Sequence, residues 1–298
     1  MNEPSSETPR LNGWLVIDKA AGRTSAQIVG RIKRLSGAAK VGHGGTLDPL
    51  ATGVLPIALG EATKTVAYVM DGTKAYRFTL KWGEARDTDD SEGAVTETSE
   101  VRPSRRQVER ILPDFIGDIS QMPPKYSALK VSGRRAYALA RANKPVTLAP
   151  RQVRIDSLRL LDSDGETASF DVICGKGTYI RALARDLAGA LGGVAHVSVL
   201  RRTAVGPFTE KAAISLDIVE SLVHSARLAA HVLSVEAPLA DIPALELTES
   251  DAHRLHCGQV IAVSGPDGET IRAKSGERLV ALARIETGML RTLRVFNL

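Results

Sequence analysis

One carboxylate stands alone in residues 42–56, GHGGTLDPLATGVLP. It is Asp48, the first acid after Asp18, and the stretch between them carries Lys19, Arg23, Arg31, Lys33, Arg34 and Lys40. An Asp before Pro49 is ordinary turn chemistry. The sharper reading is a single acid kept on a basic surface because it does chemistry, as a nucleophile or a stabiliser of an electron-poor centre. His43 sits between glycines in the same loop and by itself reads as a loop histidine.

Three other groupings could carry chemistry. GKGT (175–178) follows the apolar run FDVIC and precedes YIRALARDLAGALG (179–192). The full phosphate-loop spacing is missing. Thr178 as N-cap would still place Tyr179 and Arg181 in a first helical turn, where backbone amides favour anions. Residues 125–155 hold eight cations and no acid, with Tyr126 and Tyr137 interleaved. Cations neutralise phosphates and aromatics stack on unpaired bases. His253, His256 and Cys257 form the one ligand-like cluster, short of the four paired ligands of a closed zinc site. In the acidic run Asp87, Asp89, Asp90 and Glu92, Gly93 falls at the wrong offset for a calcium loop, so the run reads as solvated. No metal is expected.

The elements that must position these groups are legible in part. GWLVID (13–18) and VLPIALG (54–60) read as buried strands. Thr24 and Gln27 have capping-box spacing ahead of Ile28, Ile32 and Leu35, with Gly37 as a stop, and Ser104 and Gln107 repeat the pattern before a second helix. Tyr76, Phe78, Leu80 and Trp82 alternate with Arg77, Thr79 and Lys81, as a half-buried strand requires. Strands and helices alternate without a regular βαβ repeat, so the expected class is α+β. Pro238 and Pro243 flank an expected linker, and the last 55 or so residues read as a small β-rich module.

The chain has 298 residues, which suggests about two domains, and with 43% hydrophobic residues it can bury a core. A net charge of +5 favours a polyanionic partner. Cys174 and Cys257 stand far apart, as in a reducing compartment. The polar N-terminus shows no signal-peptide pattern, and no run reaches the roughly 18 apolar residues of a membrane span. A cytoplasmic protein without membrane contact is expected.

Taken together, DKAAGRTS (18–25), KVGHGGTLDPLATGVLPIALGEATK (40–64), YSALKVSGRRAYALAR (126–141), GKGTYIRALARDLA (175–188) and LRRTAVGPF (200–208) resemble the bacterial tRNA pseudouridine synthases that modify uridine 55 of the T-arm. The resemblance spans roughly residues 13–210. It implies an α+β fold with a mixed, largely antiparallel central sheet flanked by helices and loops, and a small C-terminal β-barrel. Residues 1–9, polar and rich in Pro, Ser and Glu, read by composition as a disordered tail. The resemblance implies a catalytic domain at 10–236 with an RNA-binding insertion at about 124–152, and a PUA-like RNA-binding domain at 240–298.

By that resemblance Asp48 is the catalytic aspartate of a cofactor-free isomerisation. It acts either at ribose C1′ or at uracil C6 on an extruded nucleotide. Arg181 is its charge partner, Tyr76 stacks on the base, and Tyr179 lies against the base as a candidate for proton transfer at C5. His43 contacts the RNA, Leu200 lines the pocket, and Lys19 and Arg202 join the substrate-binding set. The implied partner is the tRNA T-arm stem-loop, met by a monomer with no obligatory protein partner. Ala20 stands where the family has proline, and Gly44 where it often has threonine. The rival readings are a guide-RNA-dependent, dyskerin-like synthase and a non-catalytic RNA-binding or tRNA-folding protein.

Overall fold

The computed structural model describes residues 11–127, 129–131, 133–142, 147–222 and 226–298. The expected tail at 1–9 lies outside the described residues, as do short parts of the basic insertion.

Local signals hold where they are self-contained. The first helix, α1 (Ser25–Ser36), starts at Thr24 with a complete capping box: Gln27 N–H donates to Thr24 Oγ1, and Thr24 N–H to Gln27 Oε1. Two of the helix's first orphan amides are satisfied this way without tertiary help. Ser104 does the same for Arg105–Ile111.

The main sheet contains β1 (Gly13–Lys19), β2 (Thr52–Leu59), β3 (Lys74–Trp82), β4 (Gly117–Gln121), β5 (Arg151–Ser163), β6 (Thr167–Cys174) and β7 (Ala195–Val205). Their spatial order is β1, β2, β7, β3, β6, β5, β4, with the short strand Val232–Leu233 outside β1. Every neighbouring pair is antiparallel except β2 and β7, which run parallel over two residue pairs. The fold is α+β with a mixed, largely antiparallel sheet. On β3, Phe78, Leu80 and Trp82 are buried while Arg77 and Lys81 are exposed, as the alternation requires.

The sheet buries both faces near β1 and β2. One face packs Leu15, Ile17, Leu55, Ile57 and Phe78 against α1 and a later helix, α2 (Ile180–Ala190). The other packs Trp14, Val16, Val54, Val205 and Phe208 against Leu279, Leu282 and Phe296 of the C-terminal sheet. That second sheet orders its strands as Ala244–Glu246, Thr270–Ser275, Arg278–Glu286, Met289–Val295 and Ile261–Ala262, with the two outer strands unjoined. It is therefore a half-barrel, not a closed barrel.

Polar contacts complete the seam. Lys64 Nζ donates to Val295 C=O at 2.8 Å, and Asn297 N–H to Glu61 Oε2 at 2.8 Å. The stretch from Pro238 to Pro243, expected as a linker, is docked: Leu239 is fully buried and Arg272 donates to Ile242 C=O at 2.8 Å. Proline marks a break in regular structure but carries no information on whether the broken segment finds an apolar seat.

The parallel pair matters for the site because it puts Gly53 beside Arg202, which in turn faces Tyr76 on β3. Gly53 has φ +98°, and an added Cβ would lie 2.2 Å from Arg202 C=O. Gly53→Ala is expected to lower the urea midpoint with an unchanged m-value, at a cost of about 1–3 kcal/mol. Equilibrium unfolding measures it.

Candidate active site

The glycine loop has little regular structure of its own, and its backbone is held from below by buried side chains. Ser25 Oγ donates to Leu47 C=O at 3.1 Å and accepts from Leu47 N–H at 2.9 Å. Lys19, fully buried, donates to the carbonyls of Ala20, Arg23 and Pro49 at 2.9, 2.8 and 3.0 Å. Arg202, 1% exposed, donates to the carbonyls of Val54, Thr46 and Gly45. Gly22 N–H adds a bond to Pro49 C=O at 2.8 Å. Buried carbonyls need donors, and here two cations supply most of them.

Lys19 and Arg202 were both expected among the substrate-binding residues. The structure places them beneath the loop, with their donors on protein carbonyls. Burial pushes the Lys19 ammonium down to about 8, against the pull of Asp48 and Glu92.

Asp48 reaches upward from this scaffold, its side chain 35% exposed and so open to an incoming nucleotide. Its Oδ2 accepts from Arg181 Nε at 2.9 Å. Arg181 is the second residue of α2 and only 3% exposed. Its other arms donate to Thr88 C=O at 2.7 Å and Tyr126 C=O at 2.9 Å, and Asp90 Oδ2 lies 3.5 Å from Nε. One guanidinium thus joins the glycine loop, the acidic loop and the root of the basic insertion.

The acidic run is only half the solvated loop its composition implies: Asp87 and Glu92 are exposed, while Asp89 and Asp90 turn inward. Asp90 is 3% exposed, accepting from Thr88 Oγ1 and Glu92 N–H. Asp89 holds Arg185 Nη1 at 2.9 Å, and burial pushes its carboxyl upward while Arg185 opposes the shift. Two arginines one helical turn apart on α2 offset the desolvation of two carboxylates. That i, i+4 spacing of Arg181 and Arg185 in an apolar helix was the available signal for a buried acidic partner.

Tyr179 and Tyr76 complete the group. Tyr179 is itself the N-cap of α2, so Thr178 does not cap it; Thr178 Oγ1 donates instead to Gly175 C=O at 3.1 Å. The fully buried Gln121, unremarked in the sequence, clamps Tyr179 from both sides: Tyr179 N–H donates to Oε1 at 2.8 Å, and Nε2 donates to Tyr179 C=O at 3.2 Å. Burial pushes the Tyr179 phenol up, and the Ser127 hydroxyl pulls the other way. Burial also raises the Tyr76 phenol, with Arg202 opposing.

His43 accepts from Gly45 N–H at Nδ1 (3.2 Å), and burial next to Arg202 pushes its imidazole down. Leu200, 5% exposed, lies opposite Phe78, two residues along β3 from Tyr76. Asp48, Arg181, Tyr179, Tyr76 and His43 are therefore gathered around the end of the β2–β7–β3 strip. Cys257 and His253 lie apart on an exposed helix, 3.8 Å from each other.

Comparison with known proteins places this arrangement. The model of the TruB family pseudouridylate synthase N-terminal domain matches residues 33–180, and that of the tRNA pseudouridylate synthase B C-terminal domain matches residues 181–240. The junction between them falls inside α2, so it is not a structural boundary. The tRNA pseudouridine synthase B of Rhodospirillum rubrum is 54% identical, covering 97% of both chains. That of Bradyrhizobium diazoefficiens is 52% identical over 100% of this chain and 89% of its own. Among solved structures, an H/ACA RNP bound to a substrate RNA containing 2′-deoxyuridine shares the fold at TM-score 0.74 and 23% identity, covering 100% of this chain and 93% of the other. A Cbf5-Nop10-Gar1 complex gives 0.72 at 25% identity over 96% and 84%.

Gly44 is explained by its neighbours. An added Cβ would sit 2.4 Å from Val69 Cγ1 and 3.4 Å from Pro56 Cβ, and Val69 is fully buried. Gly44→Thr is expected to cost about 1–3 kcal/mol by overpacking. Val69→Ala in the same chain should recover part of that cost in thermal unfolding.

The lowered His43 value gives a second expectation. The unfolded imidazole takes its proton near 6.5, while the folded one resists it. The resulting stability is present above pH 6.5 and is lost as pH falls through the lowered folded value. NMR titration should place the His43 inflection below 6.5, and His43→Gln should flatten the acid limb of the stability profile.

Proposed function

The chain belongs to the TruB family of pseudouridylate synthases and isomerises uridine to pseudouridine in tRNA, and from that premise we propose that its target is uridine 55 of the T-arm and that Asp48 performs the chemistry. The observation that carries this reading is the Asp48–Arg181 pair: an accessible carboxylate fixed at 2.9 Å by a buried guanidinium. Pseudouridine formation breaks the N1–C1′ bond, turns the base and joins C5 to C1′, with one proton leaving C5 and one arriving at N1. No electron is gained or lost overall. An anionic nucleophile trapping C1′ or C6 fits that balance, and Arg181 sets which oxygen points outward.

The target base must leave the folded T-loop to be reached. Tyr76 offers it a stacking face worth about 1–3 kcal/mol, and Leu200 lines the pocket beside it. His43 contacts the RNA, and Tyr179 exchanges a proton at C5. Lys19 and Arg202 act on substrate through the loop they hold. The basic insertion at about 124–152 and a PUA-like domain at 240–298 meet the tRNA backbone through its phosphates, with 10–236 as the catalytic unit. The chain works as a monomer without a guide RNA or protein partner.

The test is carbodiimide mapping of unmodified tRNA incubated with the pure chain. A stop at position 55 without added components supports the reading, and silence until another protein or RNA is added refutes the stand-alone part of it. Asp48→Asn should reduce product formation by more than about 10³-fold while tRNA affinity in filter binding stays near that of the parent. A mutant that modifies tRNA at the parent rate removes Asp48 from the mechanism.

A further inference from the structure

Ser127 is a buried hydroxyl that the mechanism above leaves idle. It is 3% exposed, and among the described residues its Oγ has no hydrogen-bond partner. More than about nine in ten buried polar groups are paired, so an open one needs a reason. Trp82 Nε1 and Arg86 Nε share the condition, but Ser127 is the one whose chain neighbour, Tyr126, is tied to Arg181, two residues from Tyr179.

Both residues are anchored through main-chain hydrogen bonds. Immediately before Ser127, the Tyr126 carbonyl accepts from Arg181 Nη2 at 2.9 Å. Ser127's own carbonyl accepts from Tyr137 N–H at 3.0 Å. Tyr179 is pinned through both backbone groups by Gln121. Two anchored main chains therefore bring Ser127 and Tyr179 to the same end of α2, beside the Asp48 partner Arg181.

We propose that Ser127 is a positioning residue for Tyr179, donating its hydroxyl hydrogen to the phenolic oxygen and holding that oxygen for proton exchange with uracil C5. The proposal rests on the reading of Tyr179 given above. When the phenolate takes the C5 proton, the O–H bond forms as the C–H bond breaks, and the C–H electron pair returns to the ring. Ser127 keeps its own proton throughout. A donor aimed at the phenolate favours the charged form, which opposes the cost of burying it.

The experiment follows single-turnover pseudouridine formation on unmodified tRNA across the alkaline range, with filter-binding Kd alongside, for Ser127→Ala, Tyr179→Phe and the double variant. Ser127→Ala is expected to slow the reaction by on the order of 10- to 100-fold with Kd unchanged, and to move the alkaline inflection upward. In the Tyr179→Phe background it should cost nothing further. The proposal is overturned if Ser127→Ala reacts at the parent rate while Tyr179→Phe is slow, or if the two losses multiply in the double variant. Tyr179→Phe at the parent rate instead removes the reading of Tyr179, and the proposal with it.

Discussion

The buried Arg181 guanidinium is the constraint on which the rest of the site depends. Its arms end on Asp48, Thr88 and Tyr126, one in each of the three segments that meet at the site. A buried cation left without its partners is costly, about 3–5 kcal/mol when one member of such a pair is removed. The acidic loop therefore folds inward over α2, and Asp90 accompanies it into a place where an unpaired carboxylate would not be tolerated. Arg185 repeats the arrangement one turn later, joining Asp89 to the carbonyl of Met122.

The same logic governs the glycine loop. Its carbonyls point into the protein and are met by Lys19 and Arg202, while Asp48 points out. A run of cations without acids looks from the sequence like a surface prepared for phosphates. Part of it is internal scaffolding, since Lys19 is enclosed, and Arg31, though partly exposed, is already paired with Glu220 at 2.7 Å. Net positive charge and the availability of each cation are separate facts, and only those neither enclosed nor already paired are free to act on RNA.

Legibility followed the range of the interaction. Both capping boxes close within three residues, and the β3 alternation follows from strand geometry. Each could be read directly. The acidic loop could not, because whether a carboxylate is solvated or buried depends on an arginine more than ninety residues away. Thr178 does not cap because the helix N-cap falls one residue later, at Tyr179, and the Thr178 hydroxyl donates to the Gly175 carbonyl. Gly44, like the acidic loop, was opaque: the atom that excludes a side chain there belongs to Val69.

The sequence by itself determined the α+β class, the caps, the strand faces and, through the long glycine-loop motif, the family and the chemistry it performs. Tertiary structure alone decided which cations are scaffold, which acids are buried, and that the segment between Pro238 and Pro243 is docked. Asp48 and Arg181 are 133 residues apart in the chain, and no local propensity encodes their contact. The pairing exists because the parallel seam between β2 and β7 and the clamp of Gln121 on Tyr179 bring the glycine loop and the start of α2 to the same end of one sheet.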